Sequence, residues 1–557
     1  MRYRSILPDV LKIADAASEK VLSIYMTDFK VDFKADESPI TAADVASHRV
    51  IVEGLRNLSH DIPVLSEEGA KIPWSERKQW RRFWLIDPIE FYRKAIGRGQ
   101  TMPRADVSTE TGRRMLLVHI DGDGFASRAE IPGAPFAAEV MYRDFIKRYA
   151  VPHTVSVIEG EVGPEGLYPE LSPTLERIAR SIFKLGHVEI ATHSYSHPFF
   201  WRTAVRNEQQ GIKPRNKPHL PLKGYHFSLK RDIWGSASYI NRRLAPPGKK
   251  TSVFLWTGDC VPAWEAVAET AAAGMLNMNG GDTTINRSEP TLTLVAPFSL
   301  RKNGHLQVYA PNQNENVYTH DWTGPFYGFD KVIETFEMTE SPRRLKPINI
   351  YYHTYSASKH SAIAALHKVY RYALKHRVTP VYSSEYLRKA IDFEDFVLAR
   401  EVRRPADGST RWHYSSGKHL RTLRLRRSET DQIDWQLSPG LPGRELGVEG
   451  DYLHLTAQTG TFLVRPSTFN KATVPLVRNG NGRITYFKRS GQVTRLGFTA
   501  HVKGILELEH AKQCRVKSGR KTLRAATRRT TKGGNDLHRY GFKRAQAKKE
   551  QHLSISC

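Results

Sequence analysis

MLLVHIDGDGF, residues 115–125, runs a mostly apolar stretch into two aspartates spaced by glycines. An apolar run bounded by a turn signal reads as a buried strand, here one whose C-terminal end carries carboxylates. The same texture recurs at HTVSVIE (153–159), VEIATHS (188–194), SVFLWTG (252–258), MLNMNGG (275–281), INIYYH (348–353) and TPVYSS (379–384). Helical patterns lie between several of them, at 136–149, 172–185, 262–273, 329–339 and 358–375. Alternating strand and helix signals predict an α/β region with a parallel sheet and helices outside, a distorted (β/α) barrel over 115–395. Residues 198–250 carry no clean strand and read as an excursion over one face.

The flanks differ in texture. In residues 1–90, Ile6, Val10, Ile13, Ala17, Val21 and Ile24 follow a helical period. Val45, Val50, Ile51 and Leu55 suggest a second amphipathic helix, and PVLSEE (63–68) and RFWLID (82–87) two short strands. Residues 91–114 are polar, with glycine, proline and several arginines, and read as a linker. Residues 400–557 show period-2 runs separated by Gly and Asn, which predict a β-rich domain. A chain of 557 residues suits two to four domains at about 150 residues each. Apolar content of 40% and charged content of 25% exclude a wholly disordered or fibrous chain.

The chemistry-bearing residues cluster at expected strand ends. The first strand runs into Asp121 and Asp123, the third into His193 and His197, the sixth into His353. In a barrel or wound sheet these ends converge on one face. Two imidazoles and a carboxylate suit zinc, cobalt, nickel or iron. A second carboxylate supplies a general base and a further histidine a general acid. Each motif alone also has a plain reading: Asp-Gly-Asp-Gly as a turn, HxxxH as surface or core histidines, His353 as a satisfied core residue.

HIDGDGF and HSYSH resemble the first two motifs of NodB-homology polysaccharide deacetylases. LLVHIDGDGF, EIATHSYSHPF, LWTGDCVP and NIYYHTYSASKH are similar to the Pel exopolysaccharide deacetylases, over roughly residues 113–400. The resemblance implies removal of N-acetyl groups from an N-acetylhexosamine polysaccharide. It makes Asp121 the base, Asp123, His193 and His197 the holders of a divalent metal, and His353 the acid. Asp259 and Asp282, at later strand ends, would orient these groups or the sugar, or simply cap helices. One departure stands out: the Arg-x-x-Pro motif of NodB-type enzymes has no match, so the residue that orients the base is not identified. The export signal and leading glycoside-hydrolase barrel of Pel proteins also have no match.

Residues 1–90 resemble another family. KADESPITAADVASHRVIVEGLRNLSHDIPVLSEE (34–68) and WLIDP (84–88) are similar to the start of 3'(2'),5'-bisphosphate nucleotidases of the inositol monophosphatase superfamily. That resemblance implies Mg²⁺ held by Glu67, Asp87 and the carbonyl of Ile89, with Asp44 helping to activate water. Where the family continues Asp-Gly-Thr, this chain reads Glu90-Phe91-Tyr92. Both resemblances break off near the same junction, which predicts a fusion of a truncated α/β phosphatase-like head with a deacetylase region.

Net charge is +27. Between Lys512 and Glu550 fourteen Lys/Arg face only Asp536 and Glu550, a basic tail suited to an anionic polymer or simply solvated. Only Tyr540 and Phe542 interleave with those charges, which argues against nucleic acid. No stretch reaches a membrane-spanning length of apolar residues. No signal peptide is visible, and Cys260, Cys514 and Cys557 form no disulfide framework, so the expectation is a reducing, cytoplasmic compartment. The deacetylase resemblance alone would imply the periplasm.

Overall fold

A computed structural model describes residues 3–27, 31–33, 39–58, 103–212, 218–341, 343–402, 406, 409–425, 440–444, 451–455, 457–464, 476–530, 536–543 and 548–557. The chain divides into two compact units, Met1–Met102 and Pro103–Cys557. In the first, helices α1 (Tyr3–Tyr25) and α2 (Ala42–Leu58) bracket an antiparallel pair, β1 (Val31–Phe33) and β2 (Pro39–Thr41). Both helices match the apolar periods read from sequence. Ile13 of α1 packs so closely on Gly54 of α2 that a side chain there would collide with it. The strands expected at 63–68 and 82–87 lie outside the described residues, as do Glu67, Asp87 and Ile89.

The second unit opens with β3 (Arg104–Ala105), β4 (Thr109–Glu110) and β5 (Arg113–Asp121). The sequence reading of 91–114 as a linker is corrected here for residues 103–114. Two of its arginines, Arg113 and Arg114, are buried structural groups. Arg113 donates to Asn479, and Arg114 donates to the carbonyls of Phe336 and Lys346 and to Thr339. Guanidinium groups spent on internal carbonyls look, in a sequence, like solvated charge.

The strands that follow are β6 (His153–Val155), β7 (Val188–Thr192), β8 (Val253–Leu255), β9 (Leu276–Met278), the hairpin β10 (Ser299–Lys302) with β11 (His305–Val308), then β12 (Ile348–His353) and β13 (Thr379–Pro380). The sheet runs β12-β5-β6-β7-β8-β9, with β13 also on β5, and every one of these pairings is parallel. All residues of β5 are buried. Leu116, Val118 and Ile120 enter one apolar cluster, Met115 and Leu117 another. Burial on both faces is why the strand reads as a continuous apolar run.

The distorted (β/α) barrel expected from sequence is in the structure a curled half-barrel. No pairing joins β9 to β12 among the described residues. Among the described residues the chain between them is spent on the antiparallel β10–β11 hairpin, short 3₁₀ turns and the helix Val332–Met338, so no parallel strand closes the gap.

Beyond residue 395 the unit is β-rich, in mostly antiparallel sheets. One of them takes β3 at its edge. The basic segment 512–550 is not a free tail: Arg515–Ser518, Lys521–Thr522, Thr527–Thr530 and Asp536–Phe542 are sheet strands. Tyr540 and Phe542 join the core of this region with Leu553 and Ile555. Cys514 and Cys557 form a disulfide. That bond corrects the expectation that the three cysteines make no disulfide. No helix among the described residues is long and apolar enough to cross a membrane.

Candidate metal centre

The parallel register brings the expected residues together. Asp121 pairs with His353 across β5 and β12. Asp123 follows on the turn after β5, and His193 and His197 on the loop after β7. His193 Nε2 lies 3.0 Å from Asp123 Oδ2, and His197 Nε2 lies 2.8 Å from Asp123 Oδ1. His353 Nε2 is 3.8 Å from Asp121 Oδ2 and 3.9 Å from Asp123 Oδ2. Asp123, His193 and His197 offer ligand atoms within 4.8 Å of one another, as do Asp121, Asp123 and His353.

The turn after β5 depends on its glycines. A Cβ on Gly122 would stand 2.7 Å from the backbone nitrogen of Ile158. Gly124 has φ +69° and lies against Tyr355. Asp-Gly-Asp-Gly is here a turn that carries two of the candidate ligands, Asp121 and Asp123. The HxxxH loop is strained: Ser194 and His197 have φ of 63° and 51°. It is held by Ser194 Oγ, which accepts from the His197 amide, and by the buried Asp232. Asp232 accepts from the amide and hydroxyl of Ser196 and from Tyr225. Asp232 and Tyr225 belong to the excursion 198–250, which packs over this loop.

Burial would push the Asp123 carboxyl up, but His197, His193 and His353 outweigh it and hold it well below the usual carboxylate range. Burial likewise opposes charge on His353, yet Glu315, Asp123 and Asp121 raise it to about 10. Glu315 is buried and accepts from His353 Nδ1 at 2.8 Å, from the His353 amide at 3.1 Å and from Ser356 at 3.0 Å. The Tyr355 ring stacks on His353 with centroids 4.9 Å apart. Burial and Asp123 raise Glu161 to about 7, against the amides of Gly124 and Phe125 that it accepts.

The donor set fits a divalent cation. His193 Nδ1 and His197 Nδ1 are buried and make no hydrogen bond among the described residues, while the Nε2 atoms of both rings meet the Asp123 carboxylate. Imidazole with carboxylate suits zinc, iron, cobalt or nickel.

Asp259 and Asp282 stand apart from this cluster. They line a cavity of about 330 Å³ with Arg202, Lys302 and Tyr309. Asp259 accepts from the Val261 amide, and Asp282 pairs with Gln313. In the head, Asp44 accepts from the amide and hydroxyl of Thr41, whose oxygen accepts in return from the Asp44 amide. This reciprocal pair caps the start of α2.

Comparison with known proteins speaks to the head. Residues 5–90 match the inositol monophosphatase family. The 3'(2'),5'-bisphosphate nucleotidase CysQ of Salmonella typhimurium is 42% identical over 115 residues, 20% of this chain and 46% of its own. CysQ of Escherichia coli K12 is 42% identical over 95 residues, 17% of this chain and 38% of its own. The chain thus spans less than half the length of these relatives. Among solved structures, the 4-alpha-glucanotransferase of Thermococcus litoralis covers 79% of this chain and 99% of its own at 11% identity. Its TM-score of 0.28 carries no fold assignment. The inositol monophosphatase likeness supports a hydrolase ancestry for the head, and no comparison supports the deacetylase resemblance.

Sequence reasoning missed Glu315, Glu161, Asp232, Asn279 and Tyr351. Glu315 sits in PNQNEN, which has no period to point at a strand end. Asp232 lies in the excursion, far along the chain from the loop it holds. Asn279 and Tyr351 lie within MLNMNGG and INIYYH, where the expected strand ends themselves were the available signal.

Proposed function

We propose that the unit Pro103–Cys557 is a metal-dependent hydrolase that removes N-acetyl groups from an N-acetylhexosamine polysaccharide. The observation that carries the reading is the convergence of Asp121, Asp123, His193, His197 and His353 from three separate strand ends into two ligand groups that share the half-buried Asp123. Asp123, His193 and His197 would hold the cation. When bound, it supplies charge that polarises the acetamide carbonyl and acidifies a water. Asp121 takes the proton of the attacking water. His353, backed by Glu315, gives a proton to the departing amine. Asp259 and Asp282 would meet sugar hydroxyls in the cavity that they line with Gly280 and Gly281.

The test is acetate release from an acetylated hexosamine oligomer with zinc, cobalt, nickel or iron, beside His193→Ala. The expected variant loses metal and activity together. Full metal occupancy in His193→Ala would overturn the site.

A second reading rests on the head. Its likeness to CysQ favours Mg²⁺-dependent hydrolysis of a 3'(2'),5'-bisphosphate nucleotide, with Glu67, Asp87 and Ile89 as the ligand set. The aligned part covers less than half of those enzymes. Lithium-sensitive phosphate release from such a nucleotide would establish this activity, and its absence under saturating Mg²⁺ would end the reading.

A further inference from the structure

The deacetylase resemblance leaves one role unfilled: the residue that orients the base, since the Arg-x-x-Pro motif is missing. We infer that Asn279 and Tyr351 are the positioning residues for Asp121, with His119 fixing the amide of Asn279 in the required orientation. The inference rests on the deacetylase reading above.

Asp121 is buried at 1% exposure, so its carboxylate is placed by protein donors. Tyr351 donates to Oδ2 at 2.9 Å, and Asn279 Nδ2 donates to the same oxygen at 3.1 Å. Oδ1 keeps only a long contact of 3.4 Å to Asn279 Nδ2 and faces His193 at 3.8 Å. One oxygen is therefore anchored, and the other is turned toward the histidine side of the centre. That is the arrangement of a base, with the anchored lone pairs withheld from a cation.

Hydrogen counting fixes the rest. The second hydrogen of Asn279 Nδ2 goes to the Trp256 carbonyl at 2.9 Å, so both amide hydrogens are spent. Asn279 Oδ1, 3.1 Å from His119 Nε2, must then accept, which places the His119 proton on Nε2. His119 Nδ1 is then an acceptor, yet the Asn349 atom assigned 3.0 Å from it is the amide oxygen Oδ1, also an acceptor. Asn349 Nδ2 is otherwise a buried donor without a partner, and turning the amide over satisfies it. The chain Asn349, His119, Asn279, Asp121 is thus a directed series of neutral donors.

Backbone and packing agree. Asn279 holds φ at 107°, a strained value for a side chain other than glycine, and its three side-chain bonds over-determine it. His119 stacks on Tyr351 with centroids 3.9 Å apart, and the two are register partners in β5 and β12. Neutral donors orient a carboxylate without placing a full positive charge beside it, as an arginine would.

The experiment is a double-mutant cycle on acetate release by the full chain, loaded with cobalt or zinc and given an acetylated hexosamine oligomer. Asn279→Ala is expected to lower kcat by about 10- to 100-fold with KM and bound metal unchanged. In an Asp121→Asn background the same change should move the residual kcat less than about twofold, because the group it positions is gone. An unchanged kcat, an equal loss in both backgrounds, or lost metal would overturn the inference. Tyr351→Phe removes one hydroxyl and guards against a folding failure of Asn279→Ala. It should show the same background-dependent loss at about 5- to 30-fold. A wild-type protein that releases no acetate with any metal would instead overturn the deacetylase reading, and this inference with it.

Discussion

His353 and Glu315 show what single residues add to the centre. His353 Nδ1 points at the Glu315 carboxylate, leaving Nε2 turned toward Asp121 and Asp123. A buried carboxylate behind an imidazole stabilises the charged ring and fixes which nitrogen faces the reaction. Glu315→Gln keeps the shape and one acceptor but removes the charge. The expected result is kcat lower by about tenfold, with bound metal and fold intact, measured by acetate release beside metal analysis. Loss of metal in this variant would move His353 from proton donor to ligand. His353 was legible because it ends an apolar run, whereas Glu315 was not, because an asparagine-rich stretch has no periodicity to place it. The same limit hid Asn279, whose value lies in a left-handed backbone angle that composition does not report.

At the scale of elements, the strands of the half-barrel were readable because they are buried on both faces. INIYYH is the strand Ile348–His353 residue for residue. The loop between His193 and His197 was less readable. Its HxxxH spacing would place two imidazoles on one side of a helix, yet the segment is a turn with positive φ at both ends. Its geometry is set by Asp232, which enters from an excursion that shows no pattern tied to the site. Asp232→Ala would leave the buried amide and hydroxyl of Ser196 and the half-buried hydroxyl of Tyr225 without their acceptor. At about 1–3 kcal/mol for each of the two buried Ser196 groups, with less for the half-buried Tyr225 hydroxyl, the expected loss is about 2–6 kcal/mol of stability. Metal affinity should fall with it, because His197 rides on the same turn. Thermal melting and metal titration check this, and unchanged affinity in a destabilised protein would mean that the loop holds its shape without Asp232.

Over the whole molecule, charge was the poorest guide. A net charge of +27 suggested a solvated basic tail, but arginines such as Arg539 are spent on internal partners, here the buried Glu507. Buried neutral histidines give the opposite kind of signal, and they set the response to acid. His153 is fully buried, and burial pulls it from 6.5 down to about 3. Its Nδ1 lies 2.8 Å from the Val151 carbonyl and its Nε2 3.0 Å from the Tyr370 hydroxyl. The neutral ring, protonated on Nδ1, satisfies both contacts, and a second proton would turn Nε2 from acceptor into donor. The folded pKa is depressed, so the unfolded chain binds the extra proton first as pH falls. Stability on this account is complete above 6.5 and is lost between 6.5 and about 3. One such proton contributes a slope of about 1.4 kcal/mol per pH unit within that window. His119 and His454, each lowered to about 4 by burial, act in the same direction over much of the same range, so the wild-type curve alone does not isolate His153. His153→Gln does. Urea unfolding followed from pH 7 to 4 should show the variant losing less stability per pH unit than the wild type, by about that slope. Parallel curves would mean that His153 is already charged in the folded protein, and that Tyr370 is not the donor to its ring.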